Sequence, residues 1–340
     1  MSANALCIKA QAIYGNRILP EEYEQLCRKQ SVADIASYLQ SQPHYQEIFT
    51  DIAINGINRQ QIEDLIDKCY FIQCGKLIRF APKKQQPFYV QQIMYLEMEI
   101  LVNKVIQLTN HPHDAFAISV TDYIAQKMSF DVYGLIPITT YEGLQHYVQG
   151  TKYEAVFSAF DFTSNFNIND LEQQLTELII DSSIRTIKQC FTGSQQEQLI
   201  DILKTSIELK NITRIYRQKK YFKSTPEQRS MHVKYKRKSN LLLEELQRAK
   251  DMNEFLQILT ESRYHLQAQE DGDSIFIEHE IAKINVQMAK KELRFSKDAA
   301  VVFLAFCTLQ SIEILNLKHI IEGIHYNQSA DRMEEMLIYV

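Results

Sequence analysis

The chain of 340 residues contains 9 Gly and 7 Pro, where average usage of roughly 7% and 5% would give about 24 and 17. This shortage of turn-forming residues excludes sandwiches, barrels and propellers, which need many tight connections, and it predicts long helices with few breaks. The 45% hydrophobic content excludes a disordered chain, and the net charge of −5 gives no overall attraction to nucleic acid.

Capping signals and apolar faces predict a series of helices along the chain. Pro20, followed by two acidic residues, is typical of a first helical turn, and Ser31 with Asp34 resembles a capping box. Asp251 and Glu254 repeat that arrangement later. Apolar residues at helical spacing predict three long helices with the following faces: Ile62, Leu65, Ile66, Cys69 and Tyr70; Leu171, Leu175, Leu178 and Ile179; Ile277, Ile281, Ile284 and Met288.

The apolar runs and the cysteines of the sequence indicate the cellular compartment. The most apolar stretch, residues 299–309, has eleven residues, well short of the roughly 20 needed to span a bilayer. The mixed first 14 residues do not resemble a signal peptide. We therefore expect a cytoplasmic protein whose role at any membrane is peripheral. A chain of this size needs no disulfides, so we expect reduced and mostly buried thiols at its six cysteines: Cys7, Cys27, Cys69, Cys74, Cys190 and Cys307.

Two sequence markers recur at a period near 110 residues. The first is a short amphipathic helix that ends in a tyrosine, at Tyr45, Tyr153 and Tyr264, which are 108 and 111 residues apart. Because the second marker recurs in the same order with nearly the same period, we expect three helical repeats, at residues 1–110, 111–223 and 224–340. Each repeat would contain a long helical hairpin between its two markers.

The second marker is a glutamate followed by an aliphatic residue, at Glu99, Glu208 and Glu313. Positions +1 and +7 from each glutamate lie on one helix face two turns apart. The three pairs are Ile100 with Ile106, Leu209 with Ile215, and Ile314 with Ile320. Asn211 and Asn316 lie near that face, and we expect their amides to cap or bond a neighbouring backbone. Three such repeats can stack as an open solenoid or close around a pseudo-threefold axis, and the sequence does not choose between these arrangements.

Four parts of the sequence carry a family resemblance: residues 10–26 (AQAIYGNRILPEEYEQL), the helix ends at Tyr45 and Tyr153, residues 208–219 (ELKNITRIYRQK) and residues 316–324 (NLKHIIEGI). Together they resemble the C subunit of archaeal and bacterial A/V-type ATPases, a relative of the d subunit of the eukaryotic V-ATPase. The resemblance extends over nearly the whole chain. It implies an all-α protein of three pseudo-symmetric units that form a funnel or collar, without a nucleotide site.

The resemblance also implies a function and partners. In that family the protein lies on the cytoplasmic face of the membrane rotor ring and receives the foot of the central shaft. The chain would then be a non-catalytic rotor component that couples ATP hydrolysis or synthesis to Na⁺ or H⁺ movement and needs no cofactor. The sequence departs from a uniform repeat at Glu322, where the second repeat has Arg217, and at Val102, where the others have Asn. The first repeat also has one extra residue before Tyr45.

Motifs for catalysis or metal binding are missing from the sequence. No GxxxxGK[ST], GxGxxG or GxSxG occurs. The groups most similar to a metal site are His111 and His113 with Asp114, and Cys69 with Cys74. Residues five apart on a helix point about 140° apart, so the two thiols are badly placed to share a metal. We expect neither a metal site nor catalytic residues.

One segment is strongly basic. Residues 210–238 contain eleven cationic residues and one acid, a local charge of +10, so the remainder of the chain carries −15. Three interpretations are open: a solvated connector, a contact surface for acidic partner subunits or anionic headgroups, or a nucleic-acid site. The third belongs to an alternative function, a free-standing helical scaffold that binds a soluble partner or nucleic acid. The candidate partner contacts are Arg214, Arg217, Lys219, Lys220, Lys234, Lys236, Arg237 and Lys238.

Overall fold

A computed structural model describes residues 3–50, 52–110, 114–116, 118, 120, 122–162, 166–221, 240–266 and 275–339. Throughout these ranges the regular secondary structure is helical and contains no strand, so the all-α prediction is confirmed. The chain divides into two compact units. Unit 1 combines residues 1–82 with 259–340, and unit 2 contains residues 83–258. The division into three repeats stays a prediction.

The helices are numbered in chain order. The first nine are α1 Ala3–Gly15, α2 Pro20–Cys27, α3 Val32–Ser41, α4 Gln46–Phe49, α5 Arg59–Ile78, α6 Gln86–Asn110, α7 Asp122–Ala125, α8 Tyr141–Tyr147 and α9 Glu154–Ala159. The others are α10 Ile168–Cys190, α11 Gly193–Tyr221, α12 Leu241–Arg248, α13 Met252–Glu261, α14 Ile275–Phe295, α15 Ala299–His325 and α16 Ala330–Glu335. Two short 3-10 helices lie at Lys83–Gln85 and Val132–Leu135.

The helix starts follow the capping signals of the sequence. Pro20 opens α2, and the Ser31 hydroxyl accepts the Asp34 N–H at the start of α3. The Asp251 carboxylate accepts the Glu254 N–H at 2.9 Å at the start of α13. Each cap satisfies a backbone N–H that has no partner within its own helix, which is why these local signals predict the starts correctly.

The core of unit 1 is built around α15. This helix packs against α1, α5 and α14. By length and composition α15 is apolar enough to cross a membrane, but 72% of its most apolar window is buried inside the protein. Its apolar face is longer than the eleven-residue run of the sequence, because the polar side chains that interrupt it, Gln310, Glu313 and Asn316, are themselves buried. We interpret α15 as the core helix of unit 1.

The core of unit 2 lies where α6 and α10 pack together. Leu101 and Val105 of α6 and Leu171 and Leu175 of α10 are fully buried there. Aromatic side chains from α8, α9 and the following loop complete this core, with Tyr141 stacked on Phe162 at a centroid distance of 5.0 Å. The paired long helices α6 and α10 form the frame of this unit.

All six cysteines are free thiols, as the sequence predicts. Cys7 and Cys190 are half-buried and the other four are buried. Cys74 lies 3.7 Å, sulfur to sulfur, from Cys307. Cys69 faces away from that pair, since its thiol donates to the His44 carbonyl at 3.5 Å.

Potential metal ligands are dispersed over the part of the chain that the structure describes. Within that part, no group of three or more His, Cys, Asp or Glu side chains is arranged to hold a metal ion. His111 and His113 lie outside the described residues.

Candidate functional site

Glu313 of α15 is a buried carboxylate that binds the N-terminal part of unit 1. The Tyr45 hydroxyl donates to its Oε1 at 2.7 Å, and the Ile18 N–H donates to its Oε2 at 3.2 Å. Glu313 is 1% exposed and Tyr45 is fully buried. A third donor, Gln310 Nε2, lies 3.3 Å from Oε1. The carboxylate therefore fixes both the chain before α2 and the residue at the start of α4.

His44 lies beside this carboxylate but does not form an ion pair with it. Its Nε2 is 3.8 Å from Glu313 Oε1 and 3.0 Å from the Gln310 amide nitrogen. An amide nitrogen only donates, so His44 Nε2 is an acceptor and the ring is neutral. Burial, reinforced by Lys76, lowers the pKa of His44 to about 4. Burial also raises the pKa of Glu313 to about 7, although its three hydrogen bonds act in the opposite direction.

Glu97 of α6 is the corresponding buried carboxylate in unit 2. The Tyr153 hydroxyl donates to its Oε2 at 2.6 Å, and the Ser129 N–H donates to its Oε1. Glu97 is 1% exposed and Tyr153 is fully buried. Lys152 Nζ, 2.9 Å from Oε2, supplies a charged partner. Burial beside Glu97 raises the pKa of the Tyr153 hydroxyl, so this side chain is a donor at any physiological pH.

The buried glutamate of α6 is Glu97, two residues before the marker glutamate Glu99. Glu99 is exposed, and Ile106 is 40% exposed whereas Ile100 is 8% exposed, so this pair does not form one buried face. Two residues correspond to about 200° around a helix, which puts Glu97 on the buried side and Glu99 on the solvent side. For the other two glutamates the predicted faces are confirmed, because four side chains are at most 8% exposed: Leu209, Ile215, Ile314 and Ile320.

Glu208 of α11, a half-buried carboxylate, also binds the start of a short helix in unit 2. The side-chain Nδ2 of Asn240 donates to Glu208 Oε2 at 2.6 Å. The side-chain Oδ1 of Asn240 accepts the Leu243 N–H and thereby caps the first turn of α12. Four residues after each of the three carboxylates lies a fully buried aliphatic residue, namely Leu101, Ile212 and Leu317. Each glutamate thus attaches the start of a short-helix segment to a long core helix.

The expectation that a short helix ends in each marker tyrosine is wrong, because α3, α8 and α13 end at Ser41, Tyr147 and Glu261. Two of the marker tyrosines make the same kind of hydrogen bond. The Tyr153 N–H donates to Thr151 Oγ1 and the Tyr264 N–H to Ser262 Oγ, both at 3.2 Å. Tyr264 itself is half-buried. A second shared contact is made by glutamine side chains, since Gln40 donates to the Phe49 carbonyl at 2.8 Å and Gln145 to the Phe157 carbonyl at 2.7 Å.

The two asparagines of the marker helices are both buried. Asn316 is fully buried and bonds both the N–H and the carbonyl of Ile338, which confirms that it serves a neighbouring backbone. Asn211 is 2% exposed. Asn316 is therefore a structural contact inside unit 1.

The described part of the basic segment is residues 210–221, the last three turns of α11. Lys219 Nζ donates to the Ala249 carbonyl at 2.6 Å, where it caps the C-terminus of α12. Arg214 donates to Gln173 Oε1 at 3.4 Å, and Lys220 Nζ lies 3.0 Å from the Tyr216 hydroxyl. Arg217 is exposed. Four predicted contacts lie outside the described residues: Lys234, Lys236, Arg237 and Lys238.

Comparison with known families gives a match over nearly the entire chain. Residues 7–336 match the ATP synthase (C/AC39) subunit family. The chain belongs to this family, which comprises the C/d subunits of the V/A-type ATPases. A search of curated proteins gives no match. Family membership makes the chain a non-catalytic central-stalk component that associates with a membrane ATPase complex.

Proposed function

We propose that this C/AC39-family protein is the rotor adaptor that links the shaft subunits of the central stalk to the membrane rotor ring. In this role it couples ATP hydrolysis or synthesis to movement of Na⁺ or H⁺, on the cytoplasmic face of the membrane. The family match over residues 7–336 carries this proposal. The role is mechanical, so the chain contributes stiffness and contact surfaces and needs no cofactor.

We infer that the chain consists of three repeats of one helical plan, at residues 1–110, 111–223 and 224–340. The support comes from the contacts of Glu97, Glu208 and Glu313, which are 111 and 105 residues apart and each bind the start of a short-helix segment. Glu97 and Glu208 bind residues that follow them in the chain. Glu313 instead binds Ile18 and Tyr45, which brings the last repeat back onto the first within unit 1.

Such contacts suit a part that transmits torque. A buried hydrogen bond to a charged group contributes about 1.5–3 kcal/mol, and it also fixes the angle between the short helices and the long helix. Apolar burial around it adds roughly 25 cal/mol per Å². The junctions are therefore held by directional as well as non-directional contacts, so that a torsional load moves the helices together.

The basic end of α11 is the candidate contact for acidic partner subunits. Arg217 and Lys220 are exposed there, and Lys234, Lys236, Arg237 and Lys238 follow in the sequence. We assign Lys219 a structural role rather than a role in partner binding, because its Nζ caps α12. Each cation near an anionic surface contributes about 1 kcal/mol, so several together support a stable but salt-sensitive contact.

Affinity purification from membranes of the native host tests the proposal. A tagged copy of the chain should recover shaft and ring subunits together after solubilisation in mild detergent. Recovery of the tagged chain without shaft or ring subunits, from membranes that contain the intact ATPase, would contradict the rotor role. Neutralising Arg217 and Lys220 to Gln should reduce recovery, whereas a matched pair of exposed lysines of unit 2, Lys188 and Lys204, should not when changed in the same way.

A salt titration with RNA and DNA tests the alternative scaffold function. The rotor role predicts no submicromolar binding at physiological salt. Binding that is submicromolar, weakens steeply with salt, and disappears when the cations at 234, 236, 237 and 238 are neutralised would favour nucleic-acid recognition instead.

A further inference from the structure

The segment that follows α16 is buried although it is not helical. Residues 337–339 have no regular secondary structure, and Leu337 and Ile338 are only 3% and 5% exposed. Leu337 belongs to the apolar core of unit 1, together with Leu26 of α2 and Leu317 of α15. An extended segment has no internal hydrogen bonds, so its polar groups must be satisfied by other parts of the protein.

Asn316 satisfies both backbone groups of Ile338. The Ile338 N–H donates to Asn316 Oδ1 at 3.0 Å, and Asn316 Nδ2 donates to the Ile338 carbonyl at 2.7 Å. One side-chain amide thus makes the pair of bonds that a neighbouring β-strand makes to an extended residue. These bonds bind the main chain of whichever residue lies there.

Side chains of α14 bind the backbone carbonyls of the two residues that flank Ile338. His279 Nε2 is 2.9 Å from the Leu337 carbonyl, and Lys290 Nζ donates to the Tyr339 carbonyl at 3.2 Å. A carbonyl only accepts, so the first bond places a proton on His279 Nε2. The Tyr339 ring packs edge-on against Tyr23 of α2 at a centroid distance of 6.1 Å. Three consecutive carbonyls are therefore bound by side chains of other helices.

We propose that Tyr23, His279, Lys290 and Asn316 form a peptide-recognition groove for an extended aliphatic segment. The groove is occupied in cis by residues 337–339 and can release them. It combines main-chain hydrogen bonds, which give affinity, with buried positions for aliphatic side chains, which give specificity, as in recognition by strand addition. This inference is independent of the rotor role.

The groove connects distant parts of unit 1. Tyr23 lies on α2 in the N-terminal part of the chain, whereas the other three groove residues lie on α14 and α15. An occupant that touches all of them holds α2 against the C-terminal helices. Release of the segment removes that connection while the Glu313 contacts to Ile18 and Tyr45 stay in place.

Peptide binding to the full chain tests the groove. Leu337→Asp with Ile338→Asp in the full chain detaches the segment, because two buried apolar side chains become charged. The probe is a fluorescent peptide of residues 334–340 (EEMLIYV), followed by anisotropy. We expect the detached chain to bind it at least about tenfold more tightly than the wild type, whose groove is filled. Adding Asn316→Leu should reverse that gain.

A control peptide tests whether the binding is specific. A peptide that carries the same two Asp substitutions should not bind the detached chain. Equal binding of the unmodified peptide to wild type and detached chain, or no binding to a detached chain with native helical circular dichroism, overturns the proposal.

Amide hydrogen exchange on the wild type covers the case in which the detached chain fails to fold. Release predicts that the amides of residues 337–339 exchange through local opening, at least about tenfold faster than the slowest amides of α15. Equal rates for the segment and α15 would show that it leaves the groove only on global unfolding, and would overturn the proposal.

Discussion

Tyr45 and Glu313 form a buried hydrogen bond of 2.7 Å although 268 residues separate them in the chain. Tyr153 and Glu97 form the same bond at 2.6 Å across 56 residues. In both cases the second carboxylate oxygen accepts a backbone N–H, from Ile18 or Ser129. Tyr45 and Tyr153 lie at the starts of α4 and α9, so in each unit the residue that precedes a short helix is bonded to a core glutamate. This makes the two bonds suitable targets for mutation.

Removing the Tyr45 hydroxyl should destabilise unit 1. Tyr45→Phe leaves Glu313 buried with one donor fewer, and we expect a loss of about 1–3 kcal/mol in the free energy of unfolding. Urea unfolding followed by circular dichroism measures it. Tyr326→Phe, at a ring that is 61% exposed, is the matched control and should change stability by less than about 0.5 kcal/mol. Equal effects of the two substitutions would show that the Tyr45 bond contributes nothing specific.

Stability should depend on pH through Glu313. Its pKa is about 7 in the folded chain, against 4.5 for the ordinary carboxyl, so the fold favours the protonated form. That stabilisation is complete below pH 4.5 and is lost as pH rises through about 7. Relative to Glu313→Gln, the wild type should lose on the order of 3 kcal/mol of unfolding free energy across this range.

His44 acts in the opposite direction in an overlapping pH range. Its folded pKa of about 4 lies below the ordinary 6.5, so its contribution is present above pH 6.5 and is lost as pH falls toward 4. The wild type and the Glu313→Gln variant both contain His44. The contribution of His44 to stability therefore largely cancels when the two proteins are compared. Urea unfolding of both at pH 4.5, 6 and 8 measures the difference. A difference that stays constant would mean that Glu313 does not titrate in this range.

The choice between Glu97 and Glu99 is directly testable. Glu97→Ala leaves the Tyr153 hydroxyl, the Ser129 N–H and Lys152 without their acceptor, so we expect a loss of about 2–4 kcal/mol in unfolding free energy. Glu99→Ala is the matched control in the same helix, and because Glu99 is exposed it should cost less than about 0.5 kcal/mol. Thermal unfolding of the two variants measures the difference. A larger effect at Glu99 would restore the register that the sequence suggested.

The cations of α11 should separate into a structural and a partner-binding class. Lys219→Gln removes the bond to the Ala249 carbonyl and should cost about 1 kcal/mol of stability. Arg217→Gln, at an exposed side chain, should leave stability unchanged within about 0.5 kcal/mol and reduce recovery of the ATPase complex. Unfolding and affinity purification of both variants provide the two readouts. Loss of helicity with Arg217→Gln would show that Arg217 has a structural role.

Thiol reactivity should follow burial. Burial raises the pKa of Cys27 and of Cys69 to about 12, so both remain protonated and unreactive at neutral pH. Titration of the native chain with a disulfide reagent should modify Cys7 and Cys190 first, since these two are half-buried. Mass spectrometry of the peptides identifies the sites. Rapid modification of Cys74 or Cys307 in the native chain would show that the core of unit 1 opens readily.

The sequence by itself determined the helices, their starts and the family. Capping by Ser31 or Asp251 and the apolar periodicity of the long helices are local, because they depend on residues within a turn or two. The shared faces of Leu209 with Ile215 and of Ile314 with Ile320 likewise follow from helical spacing alone. These features need no knowledge of which helix lies next to which.

Only the tertiary structure decided which side chains meet. Glu97 and Glu99 have the same chemistry, and the neighbours packed against α6 determine which of them is buried. The contact of Glu313 with Tyr45 and that of Asn316 with Ile338 join residues far apart in the chain. Their geometry arises when the first and last parts of the chain pack into one core, because burying apolar surface is non-directional and the buried polar groups must then find partners within that packing.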